Sequence, residues 1–225
     1  MNQIFDVVAG KFANDTDVAM SDGNYLRGNL FVNLVKKNLP PLSHLLDYGC
    51  GPGRLSLLLS DSGFKVHGVD TSRGMIAEAN KQNITATNVK FEAIHEFDEI
   101  NSQIKYEGIV CSSVIEYVTD ADALLQGFSR SLCAGGILII SFANQSSLWR
   151  QHWSRVDAQN PMKTDQHQCW TLSEFKLLLR RNGFEPISRP QFFESPTDAW
   201  PGSSFLRYSP RIGSIGLIAA RISSH

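Results

Sequence analysis

Leu45-Leu46-Asp47-Tyr48-Gly49-Cys50-Gly51-Pro52-Gly53, followed by Val66-His67-Gly68-Val69-Asp70, carries the pattern on which the fold of this chain turns. Leu45 and Leu46 are consecutive apolar residues, as a central parallel strand covered on both faces requires. The three glycines behind them let the backbone turn sharply, and let a ligand lie where any Cβ would collide. The stretch from Arg54 to Leu59 then reads as a helix whose first N–H groups lack partners. Asp70 closes the second stretch at the end of the next strand, at roughly the ~20-residue distance where a carboxylate accepts both hydroxyls of a ribose. Together these are the marks of the adenosine-binding half of a doubly wound α/β domain. For the glycines alone, a tight strand–helix connection without a ligand is the competing reading.

Spacing narrows the ligand. Dinucleotide sites use Gly-x-Gly-x-x-Gly, whereas this chain has Gly-x-Gly-x-Gly with Asp47 two residues before it. A carboxylate beside a pyrophosphate is repulsive, but it suits an ammonium group. The methionine moiety of S-adenosylmethionine (SAM) carries one.

On these residues the chain resembles the Rossmann-fold (class I) SAM-dependent methyltransferases of small-molecule type. Asp70-Thr71-Ser72-Arg73-Gly74-Met75 is similar to the family's Asp-x-Ser-x-x-Met segment, in which the residue after the acid and the methionine flank the adenine. The stretches from Gly108 to Val118 and from Leu132 to Ser141 resemble the fourth strand with its loop and the fifth strand. The resemblance implies that SAM is the methyl donor and S-adenosylhomocysteine (SAH) the product. It implies a donor site of Asp47, Gly49, Cys50, Gly51, Gly53, Asp70, Thr71, Met75, Ile94, Ser112 and Ser113. Asn24-Tyr25-Leu26-Arg27-Gly28-Asn29-Leu30-Phe31 further resembles the stretch before the first strand in the ubiquinone-biosynthesis O-methyltransferases. There the arginine matching Arg27 grips the SAM carboxylate, a task for which a forked guanidinium is suited; Tyr25 joins it in the implied site.

The same comparison exposes departures. In that group two glutamates and a histidine after the fourth strand hold a divalent metal, and here the matching residues are Ser113, Glu116 and Tyr117. One oxygen ligand of three is left, and a hard cation wants several, so no metal is expected. After the third strand, Ala93-Ile94-His95 stands where many relatives place an acid for the adenine amino group. Backbone groups with packing on Ile94, or the nearby Glu96, are the two alternatives.

A sulfonium already activates its methyl group, so the protein chiefly has to align donor with acceptor and exclude water. A base is needed only where the acceptor must lose a proton. The candidates are His167, which resembles a histidine preceding a Thr-x-x-Glu helix start, and Tyr117 beside the methyl site; a capping histidine is the competing reading of His167. Tyr117 and His152 are weaker choices than His167. Trp149, Trp153, Trp170, Phe192, Phe193, Trp200, Phe205 and Tyr208 concentrate aromatic surface in two segments, 145–170 and 190–211. These are expected to form a lid and an insertion around an aromatic or apolar small-molecule acceptor, with Trp170 and Phe184 assigned to the core.

Bulk properties agree. The 225 residues suit one α/β domain over 1–225, with a helical cap over 1–40. Lys and Arg number 21 against 22 Asp and Glu, which gives no electrostatic case for a nucleic-acid partner. The arginines at 180, 181, 189, 207 and 211 read as a solvated face. No secretory signal or membrane span is expected. Four cysteines without a Cys-x-x-Cys pair argue for packing roles and a cytoplasmic setting.

Strands are expected from Leu45 to Tyr48, Lys65 to Asp70, Val89 to Ala93, Gly108 to Ser112, Gly136 to Phe142, Phe184 to Ser188 and Ile212 to Ile222. Helices are expected from Ile4 to Phe12, Tyr25 to Asn38, Ser72 to Gln82, Asp120 to Ser131 and Ser173 to Asn182. The fold class is therefore α/β: a doubly wound, mostly parallel seven-stranded sheet, helices on both faces, and an antiparallel last strand. Three functions stand: a small-molecule O- or N-methyltransferase, a SAM-binding protein without catalysis, and a nicotinamide-dependent oxidoreductase, which the glycine spacing disfavours.

Overall fold

Leu45 and Leu46 face opposite sides of the central strand, and each side has its own apolar layer. In the computed structural model, residues 23–83, 85–95, 104–156, 168–194 and 203–223 are described, with backbone alone at 23–25, 153–156 and 203–205. The strands are β1 His44–Tyr48, β2 Lys65–Asp70, β3 Val89–Ala93, β4 Tyr106–Cys111, β5 Leu132–Ala143, β6 Phe184–Pro186, β7 Gln191–Phe193 and β8 Ile215–Ile222. They form one sheet in the order β3-β2-β1-β4-β5-β8-β6, with β7 also paired to β8. The first five strands run parallel, and β8 returns antiparallel between β5 and the β6–β7 edge.

The helices are α1 Gly23–Asn38, α2 Arg54–Asp61, α3 Arg73–Gln82, α4 Ala121–Ser131, α5 Leu148–Val156 and α6 Leu172–Arg181. Leu45, Val66, Val110, Ile137 and Ile139 pack with Phe31 and Val35 of α1, Leu59 of α2 and Ile76 of α3. Leu46, Val69, Ile109, Leu138 and Ile140 pack on the other face with Leu125 and Phe128 of α4 and Phe175 and Leu179 of α6. Alternate residues of each strand thus feed alternate layers, the period-two geometry of a strand buried on both sides. A fully buried Leu or Phe contributes roughly 2 kcal/mol.

Helix starts follow local chemistry. Ser72 caps α3 by accepting from the Met75 amide, and Asp120 caps α4 by accepting from the Ala123 amide. Thr171 and Glu174 form a reciprocal capping box at the start of α6. Gly183, at φ 83°, follows the last residues of that helix.

Several boundaries differ from the sequence pattern. The helix expected from Tyr25 starts at Gly23, β1 starts at His44, β4 runs from Tyr106 to Cys111 rather than from Gly108 to Ser112, and β8 starts at Ile215 rather than Ile212. The two largest differences are at β6 and β5. The strand expected from Phe184 to Ser188 ends at Pro186, and a further strand, β7, follows. Pro186 and Pro190 have no N–H to give to a ladder. The amides of Ile187 and Ser188 both reach the Ala219 carbonyl, and Ser188 Oγ accepts from the Ala219 amide. The seventh strand position is therefore filled by two short pieces. Strand β5 begins at Leu132 rather than Gly136, because Tyr106 pairs with Leu132 and Gly108 with Ile137 across an irregularity that contains Gly135 at φ 73°.

Of the grouped arginines, Arg180 pairs with Glu185 and Arg181 with Asp122, while Arg189 lies over the Tyr208 ring at 3.8 Å. Cys50, Cys111, Cys133 and Cys169 are free thiols, the first two buried and the last exposed. The helix expected from Ile4 to Phe12 lies outside the described residues. Among the described residues no helix is long and apolar enough to cross a membrane.

Beyond β5 the chain is stitched back by one buried amide. Asn144 Nδ2 donates to the carbonyls of Pro210 at 2.6 Å and Gly213 at 2.8 Å, and its Oδ1 accepts from the Ser146 amide. Ser147 Oγ adds a bond to the Ile212 carbonyl. Replacing Asn144 by Ala strands two carbonyls in the interior, at a cost of about 2 kcal/mol. Thermal unfolding of Asn144→Ala is expected roughly 4–8 °C below wild type; an unchanged midpoint refutes this role.

Candidate functional site

The connection after β1 leads to β2 on one side, while β4 lies on the other, so the crevice beyond these strand ends is the switch point where open α/β sheets bind ligands. The glycine turn lies there. Its three glycines have φ values of 72°, 54° and 83° at Gly49, Gly51 and Gly53, but they answer different constraints. A Cβ on Gly49 would meet Val114 Cγ2 at 2.3 Å, and one on Gly53 would meet the Phe91 ring at 2.5 Å. A Cβ on Gly51 would meet nothing within 4 Å. Packing demands the outer two, and only the middle one faces open space.

Hydrogen bonds fasten this turn to β2. The Gly49 and Cys50 amides donate to the Val69 carbonyl at 2.8 and 3.0 Å. The Gly51 amide donates to Asp70 Oδ2 and the Ser72 amide to Asp70 Oδ1, both at 2.8 Å. Beside Asp70, Thr71 is half-buried, and Met75 is buried with its amide on Ser72. Ile94 is also buried, packed in the core cluster with its amide on the Asp70 carbonyl.

Asp47 lies beneath the turn rather than on its open side. It is 1% exposed, and its carboxylate accepts the Ser56 hydroxyl at 2.6 Å. Burial pushes its carboxyl up to about 7, opposed by the Ser56 hydrogen bond and assisted by the Asp70 charge.

The loop after β4 forms the other wall. Ser112 and Ser113 are partly buried; Ser113, at φ 55°, donates its amide to Ser141 Oγ at 2.8 Å. Glu116, in the turn Ile115–Tyr117, is fully buried, and neither carboxylate oxygen has a hydrogen-bond partner of ordinary geometry among the described residues. Burial pushes its carboxyl up to about 7, while its own amide, Arg27 and Arg150 pull it down. The same arginine, Arg27 of α1, stands 5.7 Å over the Phe193 ring and forms an ion pair with Glu194. Burial draws its guanidinium below its usual range, and the charges of Glu116 and Tyr117 oppose this.

The structure thus brings Arg27, Tyr117, Glu116 and the glycine turn to one crevice. The Tyr25 side chain and His167 lie outside the described residues, although Gln168, next in sequence, donates its amide to the Glu116 carbonyl and its side chain to the Val118 carbonyl. Phe192 and Phe193, expected in an acceptor pocket, are instead buried on the two faces of the edge strand β7. Alternation along a strand, once β7 is known, requires that. Trp170 packs against the core and Phe184 within it, as expected. Sequence reasoning missed Ser56, Ser141 and Glu194. Ser56 was within reach, in the first turn of the following helix; Glu194 carries no local signal, because its partner is distant in the chain. Among the described residues no three His, Cys, Asp or Glu side chains gather as a metal site.

Comparison with known proteins shows the family and the fold. A family model described as a methyltransferase domain matches residues 25–189, well over half of the chain. The ubiquinone biosynthesis O-methyltransferase of Rickettsia bellii is 28% identical over 129 residues, covering 55% of this chain and 52% of that protein. The ribosomal protein L11 methyltransferase of Campylobacter concisus is 28% identical over 127 residues, covering 56% and 44%. The chain therefore spans about half the length of the curated relatives it matches. Among solved structures, the magnesium protoporphyrin IX methyltransferase of Synechocystis PCC 6803 with bound SAH superposes with a TM-score of 0.67. It is 21% identical and covers 89% of this chain and 84% of its own, a likeness of fold.

Two outcomes follow from the geometry. Gly53→Ala should lower stability by a few kcal/mol, through a steric clash in a left-handed position, whereas Gly51→Ala should cost about 1 kcal/mol yet abolish nucleoside binding. Melting curves and calorimetry on both variants check this, and equal destabilisation contradicts it. For Glu116, a raised carboxyl means that the folded state is penalised as pH climbs from the unfolded value towards about 7 and beyond. Glu116→Gln should therefore melt higher than wild type at pH 8, by on the order of 3 kcal/mol, with the gain vanishing near pH 4.5. A gain independent of pH sinks this assignment.

Proposed function

Because the chain belongs to the methyltransferase-domain family, we propose that it transfers a methyl group from SAM to an oxygen or nitrogen of a small-molecule acceptor, releasing SAH. The observation that carries this reading is Gly51: a left-handed residue with open space where its Cβ would be, tied to Asp70 at the switch point. Bound there, SAM supplies a sulfonium-activated methyl group that is open to in-line displacement. The chain's own residues bind and orient. The backbone at Gly51 lies against the nucleoside, Asp70 accepts the ribose hydroxyls, and Thr71 and Met75 border the adenine.

Arg27 receives the carboxylate of the donor's amino-acid end. Its side chain is partly exposed, and a guanidinium carries five N–H donors in a fork that matches a carboxylate. Tyr117 and the Ser112-Ser113 loop flank the methyl position. His167 is the candidate that takes a proton where the acceptor is a hydroxyl or ammonium. The segments 145–170 and 190–211 supply the acceptor side, with Trp149 stacked on His152 in α5. A flat or apolar acceptor suits that aromatic composition, and the small-molecule activities named for several relatives support the same class.

Titration calorimetry with SAM, SAH and NAD tests the reading. Wild type should bind SAM and SAH and ignore NAD, and both Arg27→Ala and Asp70→Ala should weaken SAH at least tenfold. Binding of NAD without SAM would overturn it. A tritiated-methyl screen over small metabolites then separates catalysis from binding: persistent silence in a protein that binds SAM favours a non-catalytic SAM-binding role.

A further inference from the structure

Among the described residues four carboxylates border the crevice, and three of them are sealed in the interior or already assigned to the ribose. Asp47 is buried and holds Ser56. Asp70 takes the Gly51 and Ser72 amides with its two oxygens. Glu116 has no exposed surface, so a ligand cannot touch it without opening the core. Glu194 differs from all of these. Its side chain is 38% exposed, and it is paired with Arg27, itself 27% exposed.

The backbone at Glu194 is held in an uncommon conformation for this purpose. Its φ of 60° lies in the left-handed region, which costs a non-glycine residue roughly 1–2 kcal/mol. The Ser214 amide and hydroxyl both donate to its carbonyl, at 3.3 and 2.9 Å, and Phe193 beside it is fully buried. Strain of this kind persists only where the surroundings determine it. Here they determine that the strand β7 ends with a carboxylate on the guanidinium of Arg27.

From this, resting on the donor reading above, the geometry points to Glu194 as the group that receives the α-ammonium of the donor's amino-acid end, while Arg27 receives its carboxylate. The Arg27–Glu194 pair is a receptor for a zwitterion. Two opposite charges side by side complement a ligand fragment that also carries both, in opposite order. Arg27 has five N–H donors, so one carboxylate does not exhaust it.

The test is calorimetry on wild type and Glu194→Gln with two probes. SAH carries the amino-acid end; methylthioadenosine has the same adenosine thioether without it. Glu194→Gln is expected to weaken SAH at least tenfold and to leave methylthioadenosine affinity unchanged. Glu194→Asp should recover part of the loss. A melting midpoint close to that of wild type confirms that the variant is folded, as the exposed side chain leads one to expect. Unchanged SAH affinity in Glu194→Gln overturns the proposal. So does tighter SAH binding, which would make Glu194 an occupant that competes for Arg27, and so does an equal loss for both probes, which marks a structural role. If wild type binds neither probe, the donor reading falls first and the receptor with it; if wild type binds both and only the variant disagrees, the receptor alone falls.

Discussion

Everything at the crevice depends on how the turn after β1 is tied to the end of β2. Amides of Gly49 and Cys50 converge on the Val69 carbonyl, and those of Gly51 and Ser72 on the Asp70 carboxylate. The parallel pairing of β1 with β2 supplies the register that lets these bonds form. A one-residue slip would send Asp70 to the other face of the sheet. That register is itself enforced by Leu45 and Leu46, which need different layers, so the site inherits its precision from burial on both faces.

The central half of the fold was legible because its signals are local. Strands β2 and β3 were read to the residue, since each is a short segment with β-branched or aromatic residues and turn residues around it, and the caps at Ser72, Asp120 and Thr171 sit where capping side chains belong. The edge was not legible in the same way. Phe184 to Phe193 reads as one strand and a loop until β8 is placed beside it; pairing with Ala219 then shows that the break falls at Ile187 and Ser188. The start of β5 at Leu132 has the same cause, because a glycine pair in sequence looks like a turn while a partner strand converts it into a bulge.

For the site, the glycine spacing named the turn without dividing its labour. Only the coordinates separate Gly51, which borders open space, from Gly49 and Gly53, which exist for Val114 and Phe91. Charge placement shows the limit again. Asp47 was read as an anion beside the ligand, and its burial and its bond to a serine nine residues ahead are what the sequence did not show. Glu194 carried no such signal, since a long-range ion pair has no period and no motif. Glu116 is the reverse case: visible in the loop after β4, but its lack of partners is a property of packing. A buried charge kept at a cost to stability marks positions where folding and function compete.

Asn144 joins the end of β5 to the carbonyls of Pro210 and Gly213, and Ser147 joins α5 to Ile212. The stretches that follow β5 and precede β8 are thereby anchored to one another at their roots, while the crevice lies at the ends of β1, β2 and β4. The knot does not isolate them from the crevice, because Gln168 donates to the Glu116 carbonyl and Glu194 pairs with Arg27. Exchanging both stretches as a matched set would therefore have to keep Gln168 and Glu194, and grafting either alone would break the knot.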